Sequence, residues 1–134
     1  MPLVPLLDDD QAAPRARAVF EDIRRTRGSD HVNAIWRALA HDPAQLEMTW
    51  AQVKQVMAPG ALDPLVKELV YIAVSVANNC EYCVHTHTHA ARAKGMTDAM
   101  HAELLRVIAL ASQTNRLAIA LQVPVDERYQ APAR

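Results

Sequence analysis

Two cysteines three positions apart, and a histidine four residues after the second, stand in the stretch Asn79-Cys80-Glu81-Tyr82-Cys83-Val84-His85-Thr86-His87. They are the only cysteines in the chain. An α-helix advances by about 100° per residue, so Cys80, Cys83 and His87 fall within about 60° of one another on one face. Asn79 is the expected N-cap, its side chain accepting from an orphan amide. A thiol in the first turn lies at the positive end of the helix dipole, which favours thiolate over thiol. This placement suits reactive sulfur better than packed sulfur.

Two chemistries fit the co-facial set. In one, a thiolate attacks a peroxide or a disulfide, and the neighbouring thiol resolves the product into a Cys80–Cys83 disulfide. His87 would take the thiol proton, or orient a water that does. In the other the residues bind zinc, but structural zinc wants four ligands and this face offers three. His85 and His89 lie about 140° and 180° around from Cys80, an i, i+4 pair on the opposite side. They read as surface histidines before they read as a separate weak metal site. The disulfide reading calls for no metal and no cofactor, and zinc stays the alternative.

Helices must position these groups. Pro14 can open a helix that Gly28 closes, with Ala18, Phe20 and Ile23 apolar among five arginines; a solvated face is the plain reading of those arginines, anion binding the sharper one. Ser29 or Asp30 would cap a second helix carrying Val32, Ile35, Trp36 and Leu39, broken at His41-Asp42-Pro43. Leu46, Trp50, Val53 and Met57 make the stripe of a third, ended by Ala58-Pro59-Gly60. Asp63-Pro64 starts a fourth, apolar nearly all round and expected to be central and buried. Glu68 shares a stripe there with Leu65 and Ile72. It is either a glutamate at a local surface break or a buried carboxylate that must be paired or protonated.

The cysteine helix is expected from about Cys80 to Lys94, closed by Gly95. Thr97 caps the next, with Met100, Leu104, Val107 and Ala111 facing inward. Thr114 or Asn115 would restart a short helix carrying Leu117, Ile119 and Leu121, ended by Pro124. No alternating strand pattern, repeat or Gly-rich phosphate loop appears, so the fold class is all-α. The 134 residues divide into an N-terminal arm (1–12), one helical domain (13–123) and a polar tail (124–134).

Net charge is −1, which draws the chain to neither nucleic acid nor an anionic membrane. The N-terminus runs into Asp8-Asp9-Asp10 without a basic region, unlike a signal peptide. The longest apolar run, Leu69 to Ala77 broken by Ser75, falls short of the roughly 20 residues that span a bilayer. A cytoplasmic setting is expected, where a CxxC is catalytic or metal-binding more often than a staple.

Adding Glu68 makes a longer pattern. Glu68, eleven residues, Cys80-x-x-Cys83, three residues and His87 resembles the E-x11-C-x-x-C-x-x-x-H motif of the alkylhydroperoxidase D-like (AhpD-like) proteins of the carboxymuconolactone decarboxylase superfamily. Asn78 to Cys83 and the turn Lys94-Gly95-Met96-Thr97 are similar too, and the resemblance covers roughly residues 30 to 123. It implies an all-α fold with the CxxC at a helix N-terminus, and homo-oligomers, often trimers or hexamers. It implies a thiol-dependent peroxidase: a hydroperoxide substrate, a thiol or dithiol reductant such as a thioredoxin-like or lipoyl protein, and Glu68 and His87 relaying protons to the cysteines. Decarboxylase members generally lack the CxxC, so the pair argues against lactone decarboxylation. One departure is Tyr82, where the family's namesake carries a histidine of the relay and other members commonly a tyrosine; its phenol still donates a hydrogen bond but is a poor base at neutral pH. The alternatives are a general disulfide reductase or redox sensor, or a metal-binding or structural oligomer.

Overall fold

The structure, a computed structural model, describes residues 1–130. All regular elements among them are helical, in accord with the all-α expectation: α1 (Pro14–Arg27), α2 (Ala34–Leu39), α3 (Pro43–Met57), α4 (Pro64–Ala77), α5 (Glu81–Ala93), α6 (Asp98–Ala120) and a 3-10 turn, Glu127–Tyr129. That turn lies inside the segment expected to be a plain tail, whose residues 131–134 are outside the described part. The chain divides into two compact units, one ending at Ala58 and one starting at Pro59.

In the first unit α1 buries Ala16, Val19, Phe20 and Ile23, the i, i+3, i+4, i+7 stripe of an amphipathic helix. It packs against α3, with Trp36 of α2 and Trp50 of α3 meeting edge to face at 5.4 Å. Gly28 takes φ 62°, so its amide can turn back to the Arg24 carbonyl and close α1. The expected cap of α2 is corrected. Ser29 instead accepts from the His31 amide, and the helix starts after Asn33. The N-terminal arm is tied down: Leu7 packs on the core and Ala12 is buried. The α1 arginines are spent on internal partners rather than presented as a bare cationic face. Arg15 meets Glu47, Arg17 the Asp9 carbonyl and Arg24 both oxygens of Asp9; Arg25 pairs with Asp22, and Arg27 lies over both tryptophan rings.

The second unit is built on α4, which packs along α5 and also touches α6. Asp63 caps α4 through the Leu65 amide at 2.8 Å, with Pro64 at the first position. The expectation of a helix buried on all sides is corrected. Glu68, Ile72 and Ser75 are buried, while Val66, Val70 and Val74 are 40%, 53% and 53% exposed. Two neighbouring helices cover one face of α4 and leave the valine face open. After Lys94 the chain reverses through Gly95 at φ 101°, so the Met96 amide reaches the Ala91 carbonyl and its side chain is buried.

The second half of the last helix also differs from expectation. α6 runs unbroken for 23 residues, because the Thr114 hydroxyl bonds back to the Leu110 and Ala111 carbonyls instead of stopping the helix. Thr97 caps it, as expected, through the Met100 amide. Met100, Leu104 and Ile108 face the core, and Val107 is 63% exposed.

Candidate functional site

The chain between α4 and α5 is three residues long, and its geometry decides where the sulfurs go. Asn79 adopts φ 55°, a left-handed conformation that asparagine tolerates. That corrects the expected cap: Cys80 itself is the N-cap of α5, its Sγ accepting the Cys83 amide at 3.4 Å. The Cys80 amide donates to the Ser75 carbonyl at 2.9 Å, and the Ser75 hydroxyl donates to the Tyr71 carbonyl at 2.7 Å. The start of the cysteine helix is thereby pinned to the buried stripe of α4.

Glu68 is buried, which settles between its two readings. Its Oε2 lies 2.6 Å from His87 Nδ1, and its Oε1 accepts from Lys94 Nζ at 3.0 Å. Burial pushes the carboxyl up, but the bonds from His87 and Lys94 outweigh it and hold the group below its usual range. A carboxylate on Nδ1 fixes that nitrogen as the protonated one and leaves Nε2 to exchange a proton. The Tyr71 ring stacks on the His87 ring, with centroids 3.5 Å apart and planes 19° from parallel. Burial, then the nearby charges of Cys83, Cys80 and Glu68, push the Tyr71 phenol up. Tyr71 therefore stands close to sulfur, imidazole and carboxylate together.

Both cysteines are free thiols and partly buried. Burial first, then the hydrogen bond and charge of Cys80, push the Cys83 thiol up to about 11. The lowering expected from the helix terminus is thus not found at Cys83. Tyr82 sits in the first turn of α5 and is 39% exposed. His85 and His89 are exposed, and His85 faces Glu81 at 4.0 Å.

Glu68 and His87 are brought together as the motif requires. Lys94 and Tyr71 were missed as parts of the site. Tyr71 carried a signal, three residues after Glu68 and so on the same face of a helix. Lys94 carried none, since it reaches Glu68 from the far end of the neighbouring helix.

Residues 43–126 match the family model described as the carboxymuconolactone decarboxylase family, well over half of the chain. The chain belongs to that family. Within it the chain is AhpD-like. Its fold is similar to the crystal structure of the alkylhydroperoxidase AhpD core from Rhodospirillum rubrum, with a TM-score of 0.95 and 60% identity over 98% of this chain and 99% of that one. It is also similar to the alkyl hydroperoxide reductase AhpD of Solibacter usitatus, 37% identical over 84 residues that cover 63% of this chain and 42% of that protein. An uncharacterized protein in the cox locus of Paracoccus denitrificans is 38% identical over 56 residues, covering 42% of this chain and 50% of that protein. The chain thus spans half or less of the length of these two curated relatives.

Proposed function

We propose that this family member is a thiol-dependent peroxidase that reduces hydroperoxides through the Cys80–Cys83 pair. The observation that carries the reading is the Glu68–His87 bond at 2.6 Å, one helical turn beyond a CxxC held as free thiols at the start of α5. Similarity to the alkylhydroperoxidase AhpD core over nearly the whole chain supports it. Cys83 is the attacking sulfur. Its raised pKa means that it rests as a thiol, so a base must take the proton as it attacks. His87 Nε2 is that base, with Nδ1–H held by Glu68.

The sulfur then bonds to the terminal peroxide oxygen, the O–O bond breaks, and the alcohol leaves with a proton returned by His87. Cys80 attacks the sulfenic acid, a disulfide forms and water leaves. A dithiol donor, a thioredoxin-like or lipoyl protein, restores both thiols and is itself oxidised to a disulfide.

A second reading has the opposite order. Cys80 Sγ accepts the Cys83 amide at the helix N-terminus, a contact that would steady Cys80 as the first nucleophile. The experiment is peroxide consumption with dithiothreitol by wild type, Cys80→Ser and Cys83→Ser, with dimedone trapping. Either single variant at wild-type turnover overturns the two-cysteine mechanism. The variant that traps a sulfenic acid retains the attacking residue.

The reading includes a cytoplasmic setting, where reduced donors keep the pair as thiols. No helix among the described residues is long and apolar enough to cross a membrane. It also includes assembly into a trimer or hexamer. Val66, Val70 and Val74 of α4 and Val107, Leu110 and Leu117 of α6 are all 40% exposed or more, apolar surface that a second copy would cover. Light scattering that finds a monomer at micromolar concentration would remove this part.

A further inference from the structure

Lys94 caps the far end of the cysteine helix, three turns from the sulfurs, yet its ammonium reaches Glu68, the one buried carboxylate among the described residues. We propose that Lys94 is a positioning residue of the relay, holding Glu68 ionised so that the carboxylate can fix His87 with its Nδ1 protonated. The inference rests on the peroxidase reading for its consequence in turnover, but not for its geometry.

Glu68 has two oxygens and two partners. Oε2 is taken by His87 at 2.6 Å and Oε1 by Lys94 at 3.0 Å, so every strong acceptor position of the buried group faces a donor. The remaining groups packed on this part of α4 are apolar where they come from α6: Met100, Leu104 and Ile108. Tyr71, on α4 itself, stands near Glu68 but is no cation. Lys94 is therefore the permanent positive charge of the set, because His87 must be free to lose and regain a proton in each cycle.

With Lys94 in place, the buried carboxylate keeps a counter-charge throughout the cycle. Without it, the same carboxylate has only the imidazole as partner. It then either takes up a proton itself or holds the imidazole in its charged form. Both outcomes weaken the base, since a protonated Glu68 accepts from Nδ1 only as a neutral group and an imidazolium has no lone pair to offer. The sign is the same for both: removing the cation favours every protonated form, so the acid limb of turnover moves to higher pH. Lys94 is 39% exposed at its side chain and lies at a helix end, so its substitution leaves the core intact.

The test uses the reduced full chain with Lys94→Met, Lys94→Gln and Lys94→Arg. The first readout is the titration of the Glu68 side-chain carboxyl carbon by NMR, assigned by its disappearance in Glu68→Gln. The second is the pH profile of peroxide turnover. In Lys94→Met and Lys94→Gln the carboxyl should titrate at higher pH, and turnover should fall about tenfold near pH 5.5 and recover toward about pH 8. Lys94→Arg should restore both. A Glu68 titration unchanged in Lys94→Met and Lys94→Gln overturns the inference, as does a loss of turnover that is uniform across pH. If the wild type fails to consume peroxide while the carboxyl titration still moves, the peroxidase reading fails and the role of Lys94 stands.

Discussion

Replacing Glu68 with glutamine keeps the volume and removes the charge, and the structure says what that change costs. A glutamine has one acceptor oxygen where Glu68 uses two. If the oxygen serves Lys94, the amide nitrogen meets His87 Nδ1 and drives the ring proton to Nε2, the nitrogen needed as base. If the oxygen serves His87, the amide nitrogen meets an ammonium, and Lys94 swings out to water. In either case one charge-assisted bond is lost and the other weakens, worth about 1.5–3 kcal/mol each before desolvation is counted. Glutamine also escapes the cost of burying a carboxylate, and Lys94, 39% exposed, recovers hydration. The net expectation is about 1–2 kcal/mol of destabilisation near pH 7. Glu68 titrates below its usual value in the fold, so its contribution is complete above the unfolded carboxyl pKa and is lost as pH falls through the folded one. The gap between wild type and Glu68→Gln should therefore narrow below about pH 4.5. Urea unfolding at both pH values measures this, and turnover of the same samples should fall about 10–100-fold. Equal urea midpoints near pH 7 together with equal turnover would refute the idea that this carboxylate is both a structural anchor and a relay member.

Three further outcomes are expected. His87→Ala should lower peroxide turnover more than Glu68→Gln, by the order of 10²-fold or more, while Tyr82→Phe should change it least; a reversed order in the same assay removes His87 as the base. In Cys80→Ser the Cys83 thiol loses the neighbouring sulfur that helps hold it up, so iodoacetamide should alkylate it with a midpoint below about 11; an unmoved midpoint would show that Cys80 does not raise it and that burial alone does. Asp22, pulled down to about 2 by bonds from Lys54, Trp50 and Arg25, joins α1 to α3; Asp22→Asn should cost about 1 kcal/mol in urea unfolding after screening of these partly solvated pairs, and no loss would mean the pairs are ornamental.

The parts of the site legible in the sequence are those set by a single helix. The spacing of Cys80, Cys83 and His87 follows from the helical period, and Glu68 stood out because a carboxylate in an apolar stripe needs a partner. What escaped notice depends on contacts between elements or on one backbone angle. Asn79 looked like a cap, but the three-residue link from α4 requires a left-handed residue, and asparagine fills that position instead. The cap then passes to Cys80, which puts a sulfur where an oxygen was expected. Thr114 and Asn115 looked like a restart, but a threonine that bonds back to carbonyls three and four residues earlier is satisfied inside a helix. The apolar run of α4 foretold burial, and Val66, Val70 and Val74 lie open on the single chain.

The division of α4 into two faces places the cysteines, His87 and Glu68 along one helix seam. The face toward α5 carries the buried Glu68 and Ser75 with Tyr71, 38% exposed, between them, spaced three and four residues apart. Each acts on α5 in a different way: Glu68 on the His87 ring edge, Tyr71 on its face, and the Ser75 carbonyl on the Cys80 amide. These three constraints act over two turns of one rigid element, so the sulfurs and the imidazole cannot drift relative to the carboxylate without breaking packing. Cys80, held through its amide and capping through its sulfur, is fixed twice. Cys83 and His87 follow from it by helical geometry alone. Forming a Cys80–Cys83 disulfide would weaken the Cys80 sulfur as an acceptor for the Cys83 amide. The first turn of α5, rather than the relay, is then where oxidation loosens the fold. A reductant of the proposed disulfide would have to reach that same turn, where Glu81 and Tyr82 are both exposed.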